Sequence, residues 1–497
     1  MSNALIERPL PVPLSVALGR VRIRYLALGL GTLGWFLTFL GSWIPSFWGD
    51  EAASIMSAER PLSTLWSELG RIDAVHGAYY LFLHFWIDLF GASELSVRFP
   101  STVAVGVAVA GTVVLGNLLF SRRVAVIAGI VCVLLPRVDY MAAEGRSYAI
   151  GTALAVWLTV LLMTLIRSRP TGILPWLGYA VLLAVSIYVF LYLVLLAVVH
   201  GIVLLSSRQA RSIMRRWLLA VAGAAVLAAP VLVYGLAQHG QISFLAHRGY
   251  VTFANLFVFQ WFGGPWLAAA CWAFIAAAVV VLVRRRSSGT VLVVAWLLVP
   301  MGILFVGNAL IAPMYTLRYL SFSAPAAALL VAVGIGWLGR NWLQAAAVLV
   351  LVGLALPTDV FQRTIYAKDG GSDWRQLSEV VAQNASSGDA VVFQAPPSRP
   401  SRSPRLAMHL YPNDFAGLKD VTLVTPYDEL PGLWDRVAPV SALGGALSST
   451  RTVWDLELST SASTPADVRA LERLGYTVTR TIPVHRTTVY ELTRETP

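Results

Sequence analysis

Lysine is nearly missing from this sequence: it occurs only at Lys368 and Lys419, and arginine supplies the rest of the 37 basic residues. Charged residues of both signs make up 13% of the 497. A soluble globular chain carries about 25%, so there is too little polar side chain here to cover a water-exposed surface. Cysteine occurs twice, at Cys132 and Cys271, both inside apolar runs. Two buried thiols are the expectation, and they say nothing about redox compartment. The net charge of +11 could point to nucleic acid. The arginines, however, lie in small groups between apolar runs rather than along one polar face, so no nucleic-acid partner is expected.

What the chain has in quantity is apolar sequence, at 57%. It comes in runs near the ~20 residues that cross a bilayer, and 149–166 and 291–310 contain no charge at all. The reading is a polytopic α-helical membrane protein. Arginine groups at Arg20, Arg22 and Arg24, at Arg122 and Arg123, at Arg167 and Arg169, at Arg208 to Arg216, at Arg284 to Arg286 and at Arg340 are placed in the cytoplasm by the positive-inside rule. Spans at 25–46, 101–120, 124–141, 148–166, 173–188, 190–206, 217–236, 266–283, 290–310, 319–338 and 343–357 put every group on one side. That is about eleven helices, with the N-terminus cytoplasmic and the other end of the chain outside. The first run follows basic residues and lacks a small-residue cleavage site, so it is expected to be a retained helix. Loops 47–100, 142–147, 237–265 and 311–318 then face outward. Within the first of them, Ala78 to Phe90 is apolar but short, which suits a helix lying along the membrane surface.

Composition changes at Pro357. A strand-like run at 389–393, a helical segment at 465–474 and a strand-like run at 476–478 alternate, which predicts a small extracytoplasmic α/β domain over 358–497 beside a membrane domain over 1–357.

Four clusters in the outward loops carry chemistry. Trp48-Gly49-Asp50-Glu51-Ala52 sets two adjacent carboxylates directly after the first span, where charge is costly and usually functional. Asp73, His76, Tyr79 and Tyr80 join a carboxylate, an imidazole and two phenols, able to bind a cation or a phosphate. Glu144-Gly145-Arg146-Ser147-Tyr148 offers an arginine suited to bidentate phosphate binding. Tyr315 to Leu320 places Arg318 in a short outer loop against the positive-inside trend, so it needs an anionic partner. Acids, an imidazole and arginines on one face suit a lipid-phosphate substrate, with a carboxylate left to deprotonate an acceptor hydroxyl.

These pieces, with Glu94-Leu-Ser-Val-Arg98-Phe-Pro100-Ser101 and Asp373-Trp374-Arg375, run in order from 47 to 375. As a set they resemble the GT-C superfamily of membrane glycosyltransferases, and within it the bacterial protein-mannosyltransferase-like group (family 39-like). The resemblance departs after the histidine, where the family commonly has prolines and this chain has Gly77-Ala78. What the resemblance implies is a plasma-membrane enzyme of GT-C fold. It would move a sugar, mannose first and arabinofuranose as the alternative, with inversion, from a polyprenyl-phosphate donor to a glycan, glycolipid or protein acceptor of the cell envelope. By carry-over Asp50 is the general base. Glu51, Asp73, His76 and Tyr80 shape the donor site, with Glu51 and His76 the candidates should a divalent cation be held. Arg146 and Arg318 hold the donor phosphate, flanked by Tyr148 and Tyr319.

The rival from another class is a lipid or glycolipid transporter or flippase. Transporters place ionisable groups near mid-membrane, whereas these spans are almost free of Asp, Glu and Lys and the acids gather at one face.

Overall fold

The computed structural model describes residues 14–206, 208–285, 288–394, 399–459 and 464–495. Arg286 of the fifth arginine group lies outside them. The chain starts with α1 (Leu14–Phe39), then four short elements, α2 (Gly49–Glu59), α3 (Leu62–Leu69), a 3-10 turn at Ala74–His76 and α4 (Gly77–Phe90). The helical body follows: α5 (Glu94–Leu119), α6 (Arg122–Leu134), α7 (Pro136–Ala142), α8 (Tyr148–Ser168), α9 (Leu174–Val189), α10 (Leu195–Leu205), α11 (Arg208–Arg211), α12 (Met214–Leu227), α13 (Ala229–Ala237), α14 (Pro265–Arg285), α15 (Ser288–Leu310), α16 (Ala324–Gly336) and α17 (Asn341–Gln362).

Among the described residues six helical segments are long and apolar enough to cross a membrane, and up to eight if each of two bent pairs is one span. The chain is a multi-pass membrane protein. The bends have a sequence cause. α6 and α7 meet at 62° and α12 and α13 at 60°. In each pair a proline, Pro136 or Pro230, sits at the start of the second helix, where its missing N–H and its ring stop the preceding ladder. The two runs at 173–206 become α9 and α10, apolar but shorter than a full span. The expected surface helix is α4, with Tyr79, Tyr80 and Leu83 buried and Phe85 and Leu89 exposed.

Chain direction sorts the polar motifs. The chain enters α6 at Arg122 and Arg123 and leaves α7 beside Glu144; it enters α8 at Tyr148 and leaves it after Arg167. The arginine groups and the acidic and aromatic motifs therefore occupy opposite ends of these helices.

The composition change at Pro357 precedes the structural one by just over a turn, because α17 runs on to Gln362. Beyond it come α18 (Trp374–Asn384), β1 (Ala390–Phe393), α19 (Leu406–Leu410), β2 (Lys419–Asp420), β3 (Leu423–Thr425), β4 (Arg436–Val437), β5 (Thr452–Leu458), α20 (Ala466–Arg473), β6 (Thr477–Pro483) and β7 (Thr487–Thr493). A five-stranded sheet has the order β2-β1-β5-β7-β6, parallel across β2-β1-β5 and antiparallel across β5-β7-β6; β3 and β4 pair separately. The strand and helix expected at 389–393 and 465–474 are β1 and α20.

This region is packed onto the first loop. Ile55 and Met56 of α2, Tyr80 of α4 and Trp374, Leu406 and Trp454 belong to one apolar cluster. Ser372 Oγ donates to the Phe47 carbonyl at 2.6 Å, and the Phe47 N–H donates to Tyr411 Oη at 3.2 Å. A methyl group at Gly49 would overlap the carbonyl oxygen of Ser401. The start of α2 is thus seated against chain made some 350 residues later.

Candidate active site

Asp50 and Glu51 both fall in the first turn of α2, where the positive end of the helix favours carboxylates. Successive helix residues point about 100° apart, so the two side chains diverge. Asp50 turns to a cleft and keeps 26% of its side chain exposed. Arg318, on a 3-10 turn at Leu317–Ser323 leading into α16, pairs with Asp50 Oδ2 through Nη1 and reaches Glu144 Oε1 at 3.4 Å. Its guanidinium lies 4.9 Å from the Trp48 ring and 5.9 Å from Tyr148. Arg146 Nη2 approaches the same Asp50 oxygen at 3.8 Å. Burial would raise the Asp50 carboxyl, but the Arg318 and Arg146 guanidiniums outweigh it and hold the group below its usual range. Asp50 is therefore ionised at neutral pH.

A second arm runs through Arg146. Its Nη1 donates to Tyr80 Oη at 3.2 Å, and Tyr80 in turn donates to Asp73 Oδ2 at 2.8 Å. Asp73 sits at φ 55°, with its N–H donating to Gln241 Oε1 at 3.1 Å. The His76 ring lies 5.8 Å from Tyr80. Burial and the Arg146 charge bring His76 down to about 4, so the imidazole is neutral. Tyr319 stacks on Tyr192 at 4.7 Å, with Tyr148 beyond at 6.5 Å.

Glu51 departs from expectation. Its side chain is fully buried, with Arg98 Nε on Oε1 at 2.7 Å, Arg98 Nη2 on Oε2 at 2.6 Å and the Gly145 N–H on Oε1 at 2.8 Å. Arg98 also donates to the Ser42 and Pro45 carbonyls, both at 2.8 Å. Glu51 neither shapes the donor site nor meets His76 as a cation ligand: it fastens α5 and the Gly145 turn to α2. Gly145 is needed there, since a methyl would press on Val97 at 2.5 Å. Among the described residues no group of three His, Cys, Asp or Glu side chains could hold a metal ion.

Asp50, Asp73, His76, Tyr80, Arg146, Tyr148 and Arg318 thus share one neighbourhood, with Tyr319 against its aromatic wall. Beside them opens a cavity of about 280 Å³ lined in part by Trp48, Arg137, Tyr140, Tyr250, Phe259 and Arg318. Sequence reasoning gave no role to Arg98, Glu144, Arg137 or Lys368. Lys368 is buried, its Nζ 3.3 Å from the Tyr140 carbonyl and 3.8 Å from that ring. Burial lowers it to about 8. Its rarity was the available signal: it is one of two lysines in the chain. For Arg137 the signal was Pro136, which breaks the span in which the arginine had been counted.

Residues 78–234, under half of the chain, match the family described as dolichyl-phosphate-mannose-protein mannosyltransferase. A search of curated proteins gave no match. ArnT from Cupriavidus metallidurans in the apo state superposes with a TM-score of 0.58 at 11% identity, over 96% of this chain and 98% of that one. The same protein bound to undecaprenyl phosphate gives 0.55 at 13% identity, over 94% and 97%. Arabinofuranosyltransferase AftD from Mycobacteria gives 0.50 at 16% identity, over 95% of this chain but 40% of its own length. At these identities the likeness is one of fold. The fold is shared with ArnT over nearly the whole length of both chains, and the family model matches the segment 78–234 within it.

Proposed function

We propose that this protein transfers a sugar from a polyprenyl-phosphate sugar to a hydroxyl of a cell-envelope acceptor, in one inverting displacement with Asp50 as general base. The observation that carries the reading is the Asp50 carboxylate itself, ionised, partly open to a cleft, and held between Arg318 and Arg146. In the step the acceptor oxygen bonds to the anomeric carbon and its proton passes to Asp50. The bond from that carbon to the phosphate oxygen breaks, and its electron pair stays on the phosphate. Negative charge therefore leaves Asp50 and arises on the leaving group. Arg318 is bonded to the first and faces the cavity that would hold the second, so its attraction shifts to the phosphate as Asp50 is neutralised. This is an interaction stronger in the transition state than before it. A carboxylate with a lowered pKa suffices, because the hydroxyl becomes acidic late in an oxocarbenium-like transition state.

Mannose as the sugar is supported by the description of the family matching 78–234. Arabinofuranose is supported by the fold neighbour that is an arabinofuranosyltransferase. A polyprenyl-phosphate carrier is supported by the neighbour bound to undecaprenyl phosphate. The separation of arginine groups from site motifs at opposite helix ends supports a plasma-membrane protein with its N-terminus in the cytoplasm. The site and residues 358–497 are then outside, the latter as an α/β domain closing over the catalytic helix.

The test is transfer or donor hydrolysis by the full chain in detergent, with labelled mannosyl- and arabinofuranosyl-phosphopolyprenols offered separately. Turnover of one of them identifies the sugar. Turnover of neither, together with lipid movement across proteoliposomes, would assign the chain to transport instead.

A further inference from the structure

The cavity beside Asp50 contains two arginines in different circumstances. Arg318 is engaged by Asp50 and Glu144. Arg137, in the first turn of α7, has no such partner. Its Nε donates to the Gln260 carbonyl at 2.9 Å, its Nη2 reaches the Phe259 carbonyl at 3.4 Å, and its guanidinium lies 5.4 Å from the Tyr140 ring. A guanidinium has five N–H donors, and these contacts use two. Among the described residues no carboxylate lies within ion-pair distance of it. An unpaired cation among aromatic side chains at the break of an apolar helix pair is expensive, and by default functional.

We infer that Arg137 is the residue that anchors the donor's phosphate, which seats in the cavity between Arg137 and Arg318. The inference rests on the glycosyl-transfer reading and names a binding residue for it. Charge around the cavity supports the assignment. Arg137, Arg146, Arg318 and Lys368 are four cations; Asp50, Asp73 and Glu144 are three carboxylates, and the Glu51–Arg98 and Asp139–Arg363 pairs cancel. Asp369, also on the lining, is held by Arg402 and Arg486. The named groups leave the surroundings of the cavity with an excess of positive charge, which suits the negative charge of a sugar phosphodiester. Arg137 therefore holds the phosphate before the step, and Arg318 meets the second negative charge that bond cleavage creates.

The experiment measures binding of labelled undecaprenyl phosphate to the full chain in detergent, by retention of the label and by thermal shift. It compares wild type, Arg137→Ala, Arg137→Lys and Asp50→Asn. Arg137→Ala is expected to bind about ten- to a hundredfold more weakly, with Arg137→Lys recovering part of the loss and Asp50→Asn binding more tightly than wild type, because Arg318 is released to the phosphate. Equal affinity of wild type and a folded Arg137→Ala overturns the inference. So does an equal loss in the Lys and Ala variants, which would make Arg137 a clasp on the Gln260 carbonyl. In either case a turnover defect in Asp50→Asn leaves the glycosyl-transfer reading standing. Absence of lipid-phosphate binding and of transfer in wild type overturns both.

Discussion

Asp50 and Glu51 are neighbours in sequence and share almost nothing else. One looks into a cleft, keeps part of its surface in solvent and is approached by two arginines that also serve other groups. The other is sealed in a seam, with both oxygens saturated by one arginine and a backbone N–H. The difference arises from the 100° step of the helix, and it teaches that paired acids in a motif need not share a task. The open face of α2 is arranged for a charge that will change, the closed face for a charge that must not.

The largest effect that would break this comparison is on turnover. Asp50→Asn keeps the shape and removes the basicity, and it leaves Arg318 with Glu144. It is expected to fold, to bind the donor and to turn over about 10²–10⁴ times more slowly, as read by single-turnover transfer. Near-normal turnover would move the base elsewhere. Glu51→Gln should do the opposite. Leaving Arg98 buried without its counter-charge costs about 3–5 kcal/mol of stability, seen as a fall in the thermal midpoint and in folded yield, while the fraction that folds retains most of its kcat. A stable but inactive Glu51→Gln would exchange the two roles. Arg318→Ala is expected to lower kcat about ten- to a hundredfold with a smaller change in donor KM, the effect of removing a charged hydrogen bond worth about 1.5–3 kcal/mol that strengthens in the transition state. An unchanged kcat would reduce Arg318 to a structural partner of Asp50.

A third carboxylate sharpens the contrast at a smaller scale. Asp455 of β5 is as buried as Glu51, yet neither of its oxygens has a hydrogen-bond partner. Burial, with Glu457 beside it, raises it far above the usual range; burial, with Asp467, raises Glu457 to about 8. Both folded-state values lie above those of the unfolded chain. The stability these groups contribute is therefore complete in acid, below their ordinary value near 4, and is lost as pH rises through about 8. Asp455→Asn should resist alkaline unfolding better than wild type, by about 1–3 kcal/mol above that pH. A melting curve with the same pH dependence in both would show that Asp455 ionises at no cost.

How much of this could be read from the chain depended on range. Apolar runs and arginine groups report on local matters, and the apolar runs fall on helices, although α1 begins eleven residues before its expected span and the spans at 124–141 and 217–236 are each broken in two. The period of β1 and of α20 was legible for the same reason. The separation of Asp50 from Glu51 was not, because it is decided by Arg98, 47 residues away, and by a turn at Gly145 visible only once α2, α5 and α8 are assembled. Arg146, read from its motif as a phosphate contact, also ties Asp50 to the Tyr80–Asp73 arm, which no local pattern announces. Arg137 was hidden by treating 124–141 as one straight span, although Pro136 marks the break. The sheet's hold on α2 depends on Tyr411, Ser372 and the backbone at Ser401, none of which carries a motif.

That hold has a consequence in time. Gly49 and Phe47 emerge from the ribosome early, and the segment that seats them, around 372–411, comes more than 300 residues afterwards. At roughly 5–20 residues per second the carboxylate of Asp50 waits tens of seconds at its helix end before its final support is synthesised. Throughout that interval the chain has its membrane helices and most of its charged groups, but the start of α2 lacks the contacts that seat it. On the glycosyl-transfer reading, a chain interrupted before residue 372 is expected to lack a seated base and to show no transfer in the same assay.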